Sequence, residues 1–233
     1  MKRHIVLTYL IITFLTGVYG HTGWFIPSNR FSNSQITDIC QDRYGYIWIA
    51  TEYGLNRFDG YHFTTYLHQP DDTTSLCCNA VSKIYCDDDG SLWVGTVKGL
   101  DRFDYESNVF YHCRFNNNLK PRINVISRLR NGRLIVGTAG YGLHVVEKDG
   151  RLTDVSDDYT VRNENAFFSR MYEDIRGRVW KSGSGNVFTV KEKNGKIKEY
   201  VSSVGSPIGF VERNGEVLIA CMRGFLSFPI GGG

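Results

Sequence analysis

Acids, histidines and cysteines are the residues here that could do chemistry, so their spacing comes first. Asp42, Asp87 and Asp174 each open a four-residue step ending on glycine, in DRYG, DDDG and DIRG. Acids converging on one site could act as general acid and base. A carboxylate that recurs at the start of a tight turn has a plainer task, accepting bonds from the turn's own amides. Turn architecture is the reading adopted for all three.

The six histidines, His4, His21, His62, His68, His112 and His144, are scattered. His62, His112 and His144 fall in strand-like segments, and His62 and His112 lie in outer strands, where exposure is expected. The cysteines are Cys40, Cys77, Cys78, Cys86, Cys113 and Cys221, with no CxxC pair and no histidine at zinc spacing. They occupy strand-like positions and read as buried free thiols, although an oxidising compartment permits a disulfide. GTAGYG, Gly137 to Gly142, looks like a repeat turn instead of a phosphate-binding loop, and no nucleophile elbow appears. No catalytic residue, metal or cofactor is expected.

Binding fits the composition better. Aromatic platforms beside guanidinium, amide or carboxylate groups suit a sugar. Tyr44, Tyr46, Tyr53, Tyr61 and Tyr141 lie at or beside turns, with Arg57 and Arg102 close by in RFD segments. For each of these seven, a solvated turn or packing between sheets is the competing reading. Arg57 and Arg102 share one repeat position, which suggests a common role with Asp59 and Asp104.

The elements that would position these residues repeat. Gly45, Gly90, Gly132, Gly177 and Gly215 stand 45, 42, 45 and 38 residues apart. Three residues after each comes Trp48, Trp93, Ile135, Trp180 or Leu218, in IWIAT, LWVGT, LIVGT, VWKSG and VLIAC. A second glycine follows in YGL, KGL, YGL and RGF. A period in the low forties with tryptophan and glycine markers indicates stacked β units, since one unit cannot bury both its faces.

Each unit reads as short strands separated by Gly, Asp, Asn and Ser, and no window makes a convincing amphipathic helix. The fold class is therefore all-β, a β-propeller-like array of about five four-stranded antiparallel blades. Repeats are placed at about 36–67, 80–113, 122–155, 165–201 and 206–230. The recurring large residue should fill the gap between neighbouring sheets. The last unit supplies three strands, and Trp24 to Ser32 could provide a fourth and close a ring. An open arc cut from a seven-bladed propeller is preferred.

The amino terminus carries Lys2 and Arg3 before a short apolar run, Ile5 to Val18, and then Gly20. That pattern predicts a cleaved signal peptide over 1–20, with the propeller domain over 21–233. Loss of Lys2 and Arg3 takes the net charge from +3 to +1. No basic field remains to gather nucleic acid or anionic lipid.

The segments DICQDRYGYIWIATEYGLNRFDGYHFTTY and KIYCDDDGSLWVGTVKGLDRFDYESNVFYH resemble the two-component regulator propeller repeat nearly position by position. The third copy matches moderately and the last two weakly. The resemblance implies the periplasmic sensory part of a hybrid two-component histidine kinase, recognising an oligosaccharide and regulating carbohydrate-utilisation genes. It further implies two seven-bladed propellers, an immunoglobulin-like domain, a membrane helix and a cytoplasmic kinase. This chain is expected to be the first part of such a receptor, noncatalytic, reaching a membrane only through a downstream segment, with a homodimer possible. The alternatives are a carbohydrate-active propeller enzyme, lyase or hydrolase, and a structural or dimerising propeller.

Overall fold

The apolar run in each repeat becomes the second strand of a blade. Residues 32–159, 169–183 and 185–230 are described by the computed structural model; the expected signal peptide and most of the segment Trp24 to Ser32 lie outside them. Blade 1 comprises β1 (Ile36–Gln41), β2 (Ile47–Thr51), β3 (Gly54–Phe58) and β4 (Phe63–Tyr66). Blade 2 comprises β5 (Val81–Cys86), β6 (Leu92–Thr96), β7 (Gly99–Asp104) and β8 (Val109–His112). A short strand β9 (Arg114–Phe115) leads to blade 3, which is built from β10 (Ile123–Arg128), β11 (Leu134–Thr138), β12 (Leu143–Val146) and β13 (Arg151–Asp154). Blade 4 holds β14 (Arg170–Glu173), β15 (Val179–Ser182), β16 (Val187–Lys191) and β17 (Ile197–Val201). Blade 5 holds β18 (Pro207–Arg213), β19 (Glu216–Cys221) and β20 (Gly224–Pro229).

Within each blade the strands pair antiparallel in chain order, so every sheet is a meander. Two sheets depart from four strands. Blade 3 gains β9, which pairs parallel with β13, and blade 5 has three strands among the described residues. The first strands lie side by side from blade to blade, β1 against β5, β5 against β10, β10 against β14 and β14 against β18. Blades 1, 2, 3 and 5 share a register irregularity near the start of that inner strand, at Ile36/Asp38, Val81/Lys83, Ile123/Val125 and Pro207/Gly209. A bulge repeated at one place adds local twist to the inner strand.

Turn chemistry explains the anchor glycines. Gly45 has φ +90° and donates its amide to Asp42 O at 3.1 Å. Asp42 Oδ1 accepts the amides of Tyr44 at 2.9 Å and Tyr46 at 3.0 Å. A side chain at Gly45 would be held in a left-handed conformation that glycine alone adopts freely.

Packing follows from one direction of facing. Trp48 is fully buried beside Leu92, Val94 and Phe103 of blade 2. Trp93 packs with Ile123, Ile126 and Val136 of blade 3, and Ile135 with Val179 of blade 4. Trp180 meets Val217, Ile219 and Phe228 of blade 5. Each large residue thus fills the gap to the next blade, and burial of such a ring contributes a few kcal/mol. Leu218 holds the same position in blade 5. It is half-buried, on a face where its strand neighbour Val211 is 55% exposed and Phe225 is 77% exposed.

The expectation of six free thiols is overturned: Cys40 and Cys86 form a disulfide, while Cys77, Cys78, Cys113 and Cys221 are free. Register supplies the reason. Cys40 pairs with Trp48, but in blade 2 it is Tyr85 that pairs with Trp93, and Cys86 pairs with Leu92. An offset of one residue turns a side chain to the opposite face of its sheet. Cys40 therefore faces blade 2 and Cys86 faces blade 1, across adjacent inner strands.

Candidate functional site

Blade ends are the places where loops can converge. In blade 1 the β1–β2 and β3–β4 turns share one end and the β2–β3 turn lies at the other, because Ile47 is opposite Phe58 and Thr51 is opposite Gly54. Tyr44, 52% exposed, and Tyr61, 81% exposed, sit at the first end. Tyr53 sits at the second, and Tyr141 at the corresponding end of blade 3. The expected tyrosines are therefore divided between two rims and do not form one site.

The remaining candidates are partly absorbed into packing. Tyr46 is half-buried against the core between blades 1 and 2. The Arg57 guanidinium lies 4.8 Å from its ring centroid and 5.7 Å from those of Trp48 and Tyr66. Arg102 lies over Tyr111 at 5.7 Å. The expected partnership with the RFD acids takes another form, since Asp59 accepts the amides of Tyr61 and His62 and Asp104 accepts that of Ser107. These acids cap their turns.

The turn acids have a second task. Asp42 Oδ2 accepts the Trp48 indole N–H at 2.7 Å and the Tyr105 hydroxyl at 2.7 Å. Asp174 Oδ2 accepts the Trp180 indole at 2.9 Å. In blade 2 Asp87 instead receives Arg128 from blade 3, with Nε at 2.8 Å from Oδ2. Trp93 Nε1 is left buried without a hydrogen-bond partner among the described residues.

Sequence reasoning passed over the group with the most concentrated chemistry. A cavity of about 560 Å³ opens at the β6–β7 end of blade 2, lined by His68, Cys77, Lys98, Asp101, His112 and Lys120 among others. Asp101 is fully buried on β7. Its Oδ1 is 2.7 Å from His112 Nδ1 on β8, and its Oδ2 accepts the Cys77 amide at 2.8 Å. Cys77 Sγ lies 3.1 Å from Thr96 Oγ1. The hydrogen bond that His112 donates to Asp101 raises the His112 pKa, with burial opposing it. Burial, reinforced by the Asp101 charge, pushes the Cys77 thiol up, and burial pushes Cys113 up to about 12.

A second cavity of about 320 Å³ contains Trp93, Arg102, Tyr111 and Glu147 and shares His112, Cys113 and Arg114 with the first. Arg102 is thus the expected candidate that the fold places in a concave, aromatic and charged setting. Lys98, Arg114 and Lys120 make the first cavity electropositive. Its only signal in the sequence is a repeat comparison: GLDRFD of blade 2 has Asp101 where GLNRFD of blade 1 has Asn56.

Residues 30–53 and 75–98 match the family model described as two component regulator propeller. Blades 1 and 2 carry these repeats. Histidine kinase P4 of Formosa agariphila is 44% identical over 52 residues, which are 22% of this chain and 4% of that protein. The extracellular domain of a hybrid two component system from B. thetaiotaomicron aligns with TM-score 0.75 at 23% identity, over 85% of this chain and 29% of that one. Virginiamycin B lyase from Staphylococcus aureus aligns with TM-score 0.61 at 14% identity, over 84% of this chain and 70% of that one. These structural likenesses establish a shared fold, and the chain spans under a third of the extracellular domain it matches.

Proposed function

We propose that this chain is a noncatalytic, extracytoplasmic sensory propeller of a two-component signal transduction receptor, recognising an oligosaccharide or a partner domain at its rim. The observation that carries this reading is the match of blades 1 and 2 to two-component regulator propeller repeats, on a fold shared with extracellular domains of such systems. The Cys40–Cys86 disulfide suits an oxidising compartment outside the cytoplasm. The two adjoining cavities of blade 2 offer what a sugar requires, with the exposed Tyr111 as an apolar surface and Arg102, Arg114 and Lys120 as hydrogen-bond donors.

A thermal-shift series against neutral and acidic oligosaccharides tests the proposal. Stabilisation by at least one sugar, weakened by Arg102→Ala and by Lys120→Ala, is the expected result. No shift across the panel would remove the saccharide, and turnover of any sugar would replace the sensory reading with an enzymatic one. Sedimentation with and without ligand would show whether a homodimer forms.

A further inference from the structure

The latch at the β6–β7 end of blade 2 has a counterpart in blade 1. There Ser32 donates its amide to Asn56 Oδ1 at 3.1 Å, its hydroxyl is 3.0 Å from Thr51 Oγ1, and Thr65 Oγ1 donates to Asn56 Oδ1 at 2.9 Å. In blade 2 the same three bonds join the Cys77 amide to Asp101, Cys77 Sγ to Thr96, and His112 to Asp101. Strand register makes the equivalence strict. Asn56 pairs with Ile49 and Thr65, and Asp101 pairs with Val94 and His112. Serine, asparagine and threonine have become cysteine, aspartate and histidine.

A structural latch requires only neutral hydrogen-bonding groups, as blade 1 demonstrates. Changing all three at once to residue types that ligate a metal through S, O and N is a different chemical specification. The three ligand atoms lie within 4.8 Å of one another. Tetrahedral zinc, with bonds of about 2.0 to 2.3 Å, would set them roughly 3.5 Å apart, which closes the widest separation by about 1 Å and opens the 2.7 Å contact between Asp101 and His112. We propose that Cys77, Asp101 and His112 form a metal site for a borderline dication of the zinc class, with Cys77 Sγ, one Asp101 oxygen and one His112 ring nitrogen as ligands and the fourth position open to the cavity.

The surroundings narrow the choice of ion. One thiolate and one carboxylate balance a dication, and among the described residues no further carboxylate lines the cavity. Lys98, Arg114 and Lys120 line the same cavity and oppose any excess of cation. Calcium and magnesium, which require six or more oxygen ligands or waters, are poorly served by one sulfur, one nitrogen and one carboxylate. Binding converts the Cys77 thiol to a metal thiolate and releases its proton to solvent. The Cys77 amide already holds Asp101 Oδ2, which fixes the carboxylate before the ion arrives.

Cobalt(II) added to the full chain tests this, independently of the receptor reading. One equivalent should bind with a thiolate-to-cobalt charge-transfer band in the near ultraviolet, release protons into a weakly buffered solution, and be displaced by zinc. Cys77→Ser should abolish the band while preserving the fold, since it restores the hydroxyl that blade 1 uses. His112→Gln should weaken affinity at least tenfold, on the scale seen for losses around zinc ligands. Cys78→Ser should leave the band unchanged. Absence of the band in the native chain, its survival in Cys77→Ser, its loss in Cys78→Ser, or displacement of cobalt by equimolar calcium would each overturn the site and leave a hydrogen-bonded latch only. Should Cys77→Ser fail to fold, a zinc-dependent rise in the melting temperature of the native chain, reversed by chelator and needing at least tenfold more zinc in His112→Gln, decides the same question.

Discussion

Asp42 and Trp48 are joined by a 2.7 Å hydrogen bond from the indole N–H to the carboxylate that also caps the β1–β2 turn. One side chain therefore fixes a hairpin and orients the ring that fills the gap to blade 2. Asp174 and Trp180 repeat the arrangement in blade 4 at 2.9 Å.

Asp42→Ala removes the turn cap and leaves the Trp48 N–H and the Tyr105 hydroxyl without their acceptor. Losing a charged acceptor with buried partners should lower stability by about 3 kcal/mol. Urea titration followed by tryptophan emission will read the change in midpoint.

Replacing Cys40 and Cys86 together by alanine opens a link spanning 46 residues. The expected loss is about 3 kcal/mol. Reductant should lower the melting temperature of the native chain and leave that of the double variant unchanged.

His144 is buried against Phe115, with ring centroids 5.1 Å apart. Burial lowers its pKa, and the Asp154 charge opposes this only in part. Because the folded value lies below the unfolded one, the neutral ring contributes stability that is present above about pH 6.5 and lost as pH falls through the folded value. Melting temperatures measured from pH 8 to pH 5 should change less unfavourably in His144→Leu than in the native chain, since only the native chain carries this contribution.

Val211→Ser with Phe225→Ser should reduce binding of the dye ANS to the uncovered face of blade 5. Stability should change by no more than about 0.5 kcal/mol, as for exposed positions elsewhere. Dye fluorescence and a thermal melt on the same samples will separate the two effects.

Much of the fold was legible because glycine and tryptophan are placed by strong local rules. Gly45 and Gly90 mark turns that require positive φ, and Trp48, Trp93 and Trp180 recur where a gap between sheets must be filled. The disulfide was legible only in part, since Cys40 stands five residues before Gly45 and Cys86 four before Gly90, but the repeats do not show that the inner strands carrying them lie side by side. The cluster on blade 2 was hidden for a related reason. Ser32 and Cys77, like Asn56 and Asp101, are 45 residues apart, but Thr65 and His112 are 47 apart, because the β7–β8 hairpin carries one more strand pair, Asp104 with Val109. The tyrosines divide between two rims because nearness to a turn says nothing about which end of the blade that turn occupies.

The stack of blades has a sense of direction. Blades 1 to 4 each lend a large inner residue to the follower, and blades 2 to 5 each receive it on a surface of apolar side chains. Removing blade 5 would uncover Trp180 on the blade that remains, whereas removing blade 1 would carry Trp48 away and leave Leu92, Val94 and Phe103 of blade 2 uncovered. Each break thus exposes one indole, on the retained side at one and on the departing side at the other.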